Sequence, residues 1–426
     1  MTERTASDDA TISDWIQRRA IPIEHLEPGN GWADLAALRG LIGDAQVVGL
    51  GESAHGVHEF TTLKHRLTEW LVSELGFTAI ALESSTSGCR AINDYVLRGE
   101  GDPAAALTGQ GYLAWDCDEF LELLRWLRDH NQYVDDDRKV AFYGVDNGFN
   151  DIGRQIVLDY LTRLSPERLD QVRDAFGSLA DLESRWPFLQ DDDNPALEKA
   201  YGQLRDLDQY LHDGAPRLAE QSSAAELADV RHLLTVMLLW TEPGADQSRH
   251  LMGRNLLTVI DGERADVKVI VWQANAHVGR AFRFSEDPTL GDLVTDRLGT
   301  GYRAIGLEFG QGSYLTRTIA DDALAELTPT IMPPPPVGSL PWHLATSPYD
   351  AFALDLRDAP DDPVITSWLT DPQSEHGGMW VYIDPATAYH DATIARHFDA
   401  LVFVRDITPT RPTANAVHRA SAHLGL

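Results

Sequence analysis

The chain has 426 residues, of which 43% are hydrophobic and 24% charged, so it can bury a large core and does not have the composition of a disordered protein. Its 66 acidic residues outnumber 35 Lys and Arg, and the net charge of −31 argues against a surface that binds nucleic acid or anionic membranes. The N-terminus lacks the apolar segment of a secretory signal, no run of about 18 apolar residues occurs, and two cysteines make no disulfide framework, so we expect a cytoplasmic protein without membrane spans.

Short apolar runs alternate with helical patterns along the chain. This alternation predicts an α/β fold with a mainly parallel central sheet flanked by helices. The predicted strands are 45–50, 78–82, 140–145, 267–272, 304–309 and 401–404. Polar residues follow several of them, as at Glu52, Glu83, Asp146 and Asn275. Because ligands of such sheets bind beyond the carboxyl ends of the strands, we expect one catalytic edge built from several strand ends.

Three segments are predicted along the chain. Residues 1–150 form the N-terminal part of an α/β catalytic core, and residues 265–426 form its C-terminal part. Residues 151–264 have Leu and Ala at helical spacing and no clear strand pattern, which predicts a long helical insertion that caps the catalytic edge. Within it, the polar loop 190–194 precedes a helix predicted to begin at Pro195. Residues 333–338 predict a stiff connector, followed by strand candidates at 351–356 and 379–383.

The segment 47–60 is the most informative part of the sequence. An apolar strand runs into a turn of small residues that carries Glu52 and His55, and a helical pattern follows. A histidine can take a proton from water, and a neighbouring carboxylate can orient its ring, so this pair is the best candidate for a base and its partner. The alternative is that Glu52 caps the helix and His55 is an ordinary polar residue. His58 and Glu59 are weaker candidates because of their helical position.

Three further strand ends carry candidate groups. Glu83 follows the apolar run 78–82, where an acidic residue can either take part in catalysis or cap the next helix. The same two interpretations apply to Asp146. Asn275 and His277 follow the strand 267–272, separated by a small Ala, so that both can project into a shared cleft. Their combination with the 47–60 segment favours a catalytic function.

Other kinds of site lack their sequence signatures. The chain has no Gly-x-Ser-x-Gly elbow, no Walker loop and no Gly-x-Gly-x-x-Gly segment between a first strand and helix. The side chains of Glu52, His55, His58, Glu83 and His277 could converge on a metal ion, but the histidine pair lacks the His-Glu-x-x-His form. We therefore expect neither a metal nor a cofactor.

Motifs along residues 30–412 resemble the erythromycin esterase family. The matching pieces are Gly51-Glu52-Ser53-Ala54-His55-Gly56, Ala81-Leu82-Glu83, Trp115 ahead of Trp126-Leu127-Arg128, Tyr143-Gly144-Val145-Asp146, Arg249 with Asn255, Asn275-Ala276-His277-Val278, Gly338-Ser339-Leu340 and Phe398-Asp399-Ala400-Leu401. Their order and spacing both agree with the family.

This resemblance implies an α/β core with helical insertions and a metal-independent hydrolase that opens a macrolactone with activated water. It assigns the general base to His55 and matches Glu52, Glu83 and His277 to the other acidic and histidine positions of the site. One departure is Lys64, which stands where the family often has Arg, so a planar donor becomes a point charge; Arg66 is the nearest substitute. The residues expected to contact the substrate are Lys64, Arg66, Trp115, Asp146 and Asn275.

Two enzymatic functions and one binding function follow from these patterns. The first is hydrolysis of an ester or lactone, with a macrolide, polyketide or other ester as substrate. The second is a biosynthetic tailoring enzyme that uses the same His and Glu residues for elimination, cyclisation or acyl transfer on a natural product. The third is a protein that only sequesters a ligand, which four candidate catalytic groups together disfavour.

Overall fold

The computed structural model describes residues 4–146, 151–183, 195–242, 249–264, 266–281, 288–320, 323–377, 381–382 and 388–421. The strands in these ranges are β1 (Ile21–Pro22), β2 (Val47–Leu50), β3 (Ala79–Ser85), β4 (Ala141–Asp146), β5 (Val269–Trp272), β6 (Tyr302–Ala320), β7 (Ala323–Met332), β8 (Ala351–Asp355), β9 (Gln373–His376), β10 (Val381–Tyr382), β11 (Tyr389–Ala392) and β12 (Ala400–Ile407).

Helices occupy most of the remaining described residues. They are α1 (Ala6–Arg19), α2 (Arg39–Ile42), α3 (His58–Leu75), α4 (Cys89–Arg98), α5 (Pro103–Gly109), α6 (Asp118–Tyr133), α7 (Asp151–Leu164), α8 (Leu169–Glu183), α9 (Pro195–Asp213), α10 (Ala215–Gln221), α11 (Ala224–Thr241), α12 (Arg249–Gly262), α13 (Asn275–Val278), α14 (Leu290–Leu298), α15 (Leu340–Leu344), α16 (Pro363–Thr370), α17 (Ile394–His397) and α18 (Ala414–Ser421). None of these described helices is long and apolar enough to span a membrane.

The strands form one large sheet in the order β1-β8-β12-β6-β2-β5-β3-β4. The strands from β12 to β4 in this order are parallel to one another, β8 is antiparallel to β12, and β1 is antiparallel to β8. The long β6 continues beyond β12 and pairs there with β7 and β10. Strands β9 and β11 form a separate antiparallel pair.

Apolar side chains cover both faces of the sheet, as expected for parallel strands buried on two sides. One cluster includes Phe60 and Trp70 of α3, and the other includes Met252 of α12 and Trp368 of α16. Helices α7 to α11 bury a third cluster of their own, which accounts for the Leu- and Ala-rich spacing of this part of the chain.

The predicted fold class is confirmed: the molecule is a mixed α/β protein with a mainly parallel sheet flanked by helices. All six predicted strands occur, with β3, β6 and β12 longer than expected; β3 continues to Ser85, so Glu83 lies within the strand instead of after it. The described parts of 151–262 are helical, α9 begins at Pro195, and 333–338 is neither helix nor strand. The predicted loop 190–194 and most of the strand candidate 379–383 lie outside the described residues. The division of the chain into a core and a capping insertion stays a prediction.

Candidate active site

The turn between β2 and α3 is closely packed against its neighbours. The Gly51 N–H donates to Ile305 O at 2.8 Å, and the Glu52 carbonyl accepts from Asn275 N at 2.8 Å. A Cβ at Gly51 would lie 2.2 Å from Asn275 Oδ1, so only glycine fits between the two strand ends. The backbone of β2 is thereby fixed against β6 and α13.

Gly56 ends this turn with φ +71°, a backbone conformation that glycine adopts without strain. Its carbonyl accepts from Leu315 N at 2.9 Å and Thr410 N at 3.0 Å. A Cβ there would lie 2.0 Å from Leu315 O. Gly51 and Gly56 are therefore required by close contacts, which fix the backbone on both sides of Glu52 and His55.

His55 is held by a carboxylate that is itself held by a lysine. Glu52 Oε1 lies 2.5 Å from His55 Nδ1, and Glu52 Oε2 accepts from Lys64 Nζ at 2.7 Å. Lys64 is completely buried, with its ammonium 5.0 Å from the ring centre of Trp272 and 5.7 Å from that of Trp115. A proton on Nδ1 shared with Glu52 leaves Nε2 as the basic nitrogen of the ring.

Glu83 joins the two histidines on the other side of the site. Its Oε1 lies 3.2 Å from His277 Nε2 and 3.9 Å from His55 Nε2, while Oε2 accepts from Ala274 N at 2.7 Å. Strands β2, β3 and β5 are neighbours in the sheet, and this order brings the three strand ends together. Glu52, His55, Glu83 and His277, the four predicted catalytic residues, therefore form one cluster, which we call the His55 cluster.

The charges in the His55 cluster shift its proton affinities. Burial opposes ionisation of Glu83, but His277, His55 and the Ala274 N–H lower the pKa of Glu83 to about 2. Burial likewise opposes ionisation of Glu52, yet Lys64 and His55 lower its pKa. Burial alone would lower the pKa of His55, but the hydrogen bond to Glu52 and the charge of Glu83 raise it. His55 is thus a stronger base than an ordinary histidine.

Two predicted substrate contacts lie beside the cluster. The Trp115 indole N–H donates to Glu83 O at 2.7 Å, and its ring meets the His55 ring edge-on with centroids 5.2 Å apart. Asp146, at the end of β4, accepts from the Tyr112 hydroxyl at 2.8 Å. Sequence reasoning missed Tyr112, because it lies in a loop with no strand end or motif to mark it.

The structure corrects the predicted substrate contacts of Arg66 and Asn275. Arg66 is completely buried and donates to Asp34, Gly31 O and His25 O, so it does not replace the family's arginine at Glu52. The Asn275 side chain exchanges hydrogen bonds of 3.0 and 3.1 Å with the backbone of Leu307. The polar atoms of both side chains thus make hydrogen bonds within the fold.

Lys64 also differs from its predicted role. Its ammonium contacts Glu52 and is shielded from solvent, so the contact that the structure shows for Lys64 is with the carboxylate that holds His55. Burial lowers the pKa of Lys64, while the charge of Glu52 opposes that effect. Among the residues that the structure describes, no three His, Cys, Asp or Glu side chains are arranged to hold a metal ion.

Comparison with known proteins identifies relatives over most of the chain. The family model described as erythromycin esterase matches residues 72–407. Erythromycin esterase type II of Escherichia coli is 30% identical over 170 residues, which are 39% of this chain and 39% of that protein. The putative hydrolase YbfO of Bacillus subtilis is 22% identical over 441 aligned positions, covering 96% of this chain and 93% of that protein.

A solved structure shares the fold. A crystal structure of a Bacillus cereus protein superposes with a TM-score of 0.79 at 24% identity, covering 95% of this chain and 99% of that chain. At this level of identity the likeness shows a common fold alone. It supports the order of strands that brings together the ends carrying Glu52, Glu83 and His277.

Proposed function

Because this chain is a hydrolase of the erythromycin esterase family, we propose that it hydrolyses a carboxylic ester or lactone with water activated by His55. The observation that carries this proposal is the contact of 2.5 Å between His55 Nδ1 and Glu52. It fixes the ring, raises its basicity and directs Nε2 towards the side occupied by Glu83 and His277. That side of the ring is where we place the attacking water and the ester.

The first step follows from the charges around His55. Nε2 takes a proton from water as the oxygen attacks the ester carbonyl, and the imidazolium that forms is stabilised by Glu52 and Glu83. Lys64 neutralises one of these carboxylates, so the buried cluster does not accumulate two uncompensated negative charges. The protein therefore supports the charged ring at the moment when the water is deprotonated.

The second step needs a proton for the leaving alcohol. His277 lies on Glu83 at 3.2 Å and is the cluster's second imidazole. We propose that the proton taken up by His55 Nε2 passes to the leaving alkoxide as its bond to the carbonyl carbon breaks, which restores the base, and that His277 hydrogen-bonds to the oxyanion or the leaving oxygen. Glu83, ionised because its pKa is about 2, orients this imidazole and does not itself supply the proton.

The proposal is tested by mass spectrometry of a panel of macrolides and simple esters incubated with wild type, His55→Ala and His58→Gln, with and without a chelator. We expect a gain of one water in a panel member and a loss of rate of about 10²–10⁴-fold in His55→Ala. His58 is the matched control, because it lies in the same region but binds Glu27 and Glu119 instead of the His55 cluster. His58→Gln should retain most of the wild-type rate.

Two outcomes would contradict the proposal. One is a product that has lost a water instead of gaining one, which would identify elimination or cyclisation and favour a tailoring enzyme. The other is equal hydrolysis by wild type and His55→Ala, which would remove His55 from the reaction. Loss of activity with chelator would contradict the metal-independent mechanism specifically.

A further inference from the structure

A second group of buried polar side chains lies directly behind the catalytic turn. Glu308 of β6, His376 of β9, Tyr389 of β11 and Ser53 of the turn after β2 make up this group, which we call the Glu308 cluster. Ser53 stands between Glu52 and His55 in the chain, so the cluster adjoins the base and its carboxylate from the inside of the protein.

Glu308 and His376 are in direct contact and have no exposure to solvent. Glu308 Oε2 lies 2.8 Å from His376 Nδ1. The His376 ring is stacked on Phe309 with centroids 3.9 Å apart and lies 4.7 Å from the Tyr389 ring. The small β9–β11 sheet thus places the His376 imidazole against the Glu308 carboxyl group in the interior of the protein.

The electrostatic surroundings of Glu308 do not favour a negative charge. The titratable groups that face it are His376 and Glu375 on β9 and Tyr389 and His390 on β11. Glu375 is also completely buried, and its carboxylate lies 3.1 Å from His390 Nε2. Within the described ranges, neither Glu308 nor Glu375 forms an ion pair with a Lys or Arg.

The chain contains a contrasting pair of the same two residue types. Glu119 Oε1 lies 2.7 Å from His58 Nδ1, but Glu119 also contacts the Arg411 guanidinium at 3.2 Å, and Glu27 adds a second carboxylate to His58. Burial opposes ionisation of Glu119, yet His58 and Arg411 lower its pKa. For Glu308, burial and the neighbouring Glu375 raise the pKa well above its ordinary value. The same contact between a Glu and a His therefore occurs in two different electrostatic surroundings, one with an Arg nearby and one without.

We propose that Glu308 is a positioning residue that acts as a neutral carboxylic acid, hydrogen-bonded to His376 and placed beside Ser53, and thereby holds the catalytic turn in place. Ser53 provides the link, because its N–H donates to Leu307 O at 3.1 Å and its hydroxyl faces the Glu308 carboxyl. A neutral acid can both donate and accept hydrogen bonds, whereas a buried carboxylate without a cation costs far more free energy.

A glutamine at position 308 distinguishes this state from an ion pair, since an amide mimics a neutral acid but not a carboxylate. In wild type, rising pH removes a proton from Glu308 in the unfolded chain before it does so in the folded chain, so the native state loses relative stability above pH of about 4.5. Glu308→Gln escapes this loss. We expect the melting temperature of Glu308→Gln to match that of wild type near pH 4. The difference should then grow with pH, until the variant melts about 2 °C above wild type at pH 8.

Glu119→Gln is the matched control and should behave in the opposite way. Its folded-state pKa is lowered, so the stabilisation by Glu119 is present above pH of about 4.5 and the variant should melt below wild type from pH 5 to 8. A Glu308→Gln variant that also melts below wild type at neutral pH would overturn the proposal. The melting experiment uses no substrate, so its outcome is independent of the proposed ester hydrolysis.

The link to the turn has its own test, which rests on the proposed function. Ser53→Ala removes the hydroxyl that faces Glu308, and we expect kcat to fall about tenfold with KM little changed, because the base is misplaced while the substrate still binds. Ser165→Ala is the control, since Ser165 is equally buried but bonds to Tyr210 in the helical segment. Unchanged kcat in Ser53→Ala would overturn the positioning role.

Discussion

A single buried lysine sets the charge balance of the His55 cluster. Lys64 contacts one oxygen of Glu52 while His55 contacts the other, so a carboxylate is compensated from both sides. Both Lys64 and Glu52 are buried, and removal of either one leaves the other charge without its partner. The contact between Lys64 and Glu52 therefore stabilises the fold, and under the proposed mechanism it also keeps Glu52 charged beside His55.

Replacement of Lys64 by Met tests this contribution. We expect Lys64→Met to lower the free energy of unfolding by about 3–5 kcal/mol, because Glu52 keeps its burial but loses its cation. Lys139→Met is the control, since Lys139 forms a surface ion pair with Asp136 and its loss should leave stability nearly unchanged. Urea denaturation measures both. Equal stability of Lys64→Met and wild type would show that Glu52 needs no cation.

Replacement of Glu52 by Gln tests the proton affinity of the base. The raised pKa of His55 means that wild-type kcat/KM should fall as the pH drops through a value above 6.5. Without the carboxylate, the pKa of His55 should fall, and the acidic limb of the pH profile should move to lower pH while kcat decreases. Glu59→Gln, which removes only a contact with Thr408, should leave the limb in place. An unmoved limb in Glu52→Gln would exclude His55 as the titrating base.

The sequence predicted the members of the His55 cluster because each comes directly after an apolar run, a local pattern that marks the carboxyl-terminal part of a strand or the turn beyond it. The direction in which a helical side chain points cannot be predicted from its neighbours in sequence, because it depends on how the helix packs. Lys64 and Arg66 lie two residues apart on α3, and the packing of that helix turns Lys64 to Glu52 and Arg66 to Asp34. Glu308 was missed because one acid within an apolar strand looks like an exception until its partner from β9 is seen.

At the scale of elements, the turn between β2 and α3 is the feature on which the site depends. Two glycines allow the backbone to approach α13 and β6 more closely than any side chain permits. The segment that follows β12 also contacts this turn, through Thr410 N and Gly56 O. Parts of the chain that are distant in sequence therefore share the task of fixing His55.

Gly56→Ala and Gly76→Ala compare the effect of close contact with that of backbone strain alone. Both glycines have φ near +71°, but a Cβ at Gly56 meets Leu315 O at 2.0 Å, whereas a Cβ at Gly76 meets nothing within 4 Å. We expect Gly76→Ala to cost about 1 kcal/mol of unfolding free energy and Gly56→Ala to cost clearly more and to lose activity. Similar losses in both variants, measured by urea denaturation, would show that the contact with Leu315 is unimportant.

Helices and strands were predictable where the hydrophobic pattern was strong. They were less predictable where tertiary contacts determine the secondary structure. Apolar runs predicted the six core strands, since parallel strands are buried on both faces. The strand β9 escaped prediction because Gln373, Glu375 and His376 are polar and nevertheless buried. Such a strand has no apolar signal, and only its partners β11 and Glu308 explain its position.

At the scale of the whole molecule, the order of strands creates the site. β2 lies between β5 and β6, and β3 lies beyond β5, so the ends that carry Glu52, His277 and Glu83 are adjacent although the chain visits them in another order. The sequence predicted that these ends share one edge, but it did not give the order of the strands. That order depends on which helices cover which face, a long-range property with no local signal.

The central claim is that His55 activates water for attack on an ester carbonyl, and isotope labelling tests it most directly. A substrate found by the panel is incubated with excess enzyme in ¹⁸O-water, so that each active site turns over once, and the product is weighed by mass spectrometry. The account predicts that the acid product of wild type carries one ¹⁸O atom. It also predicts that His55→Ala forms no acid product in the same time. An acid product that carries only ¹⁶O in the first turnover would contradict it, because the oxygen would then come from a protein carboxylate such as Glu83.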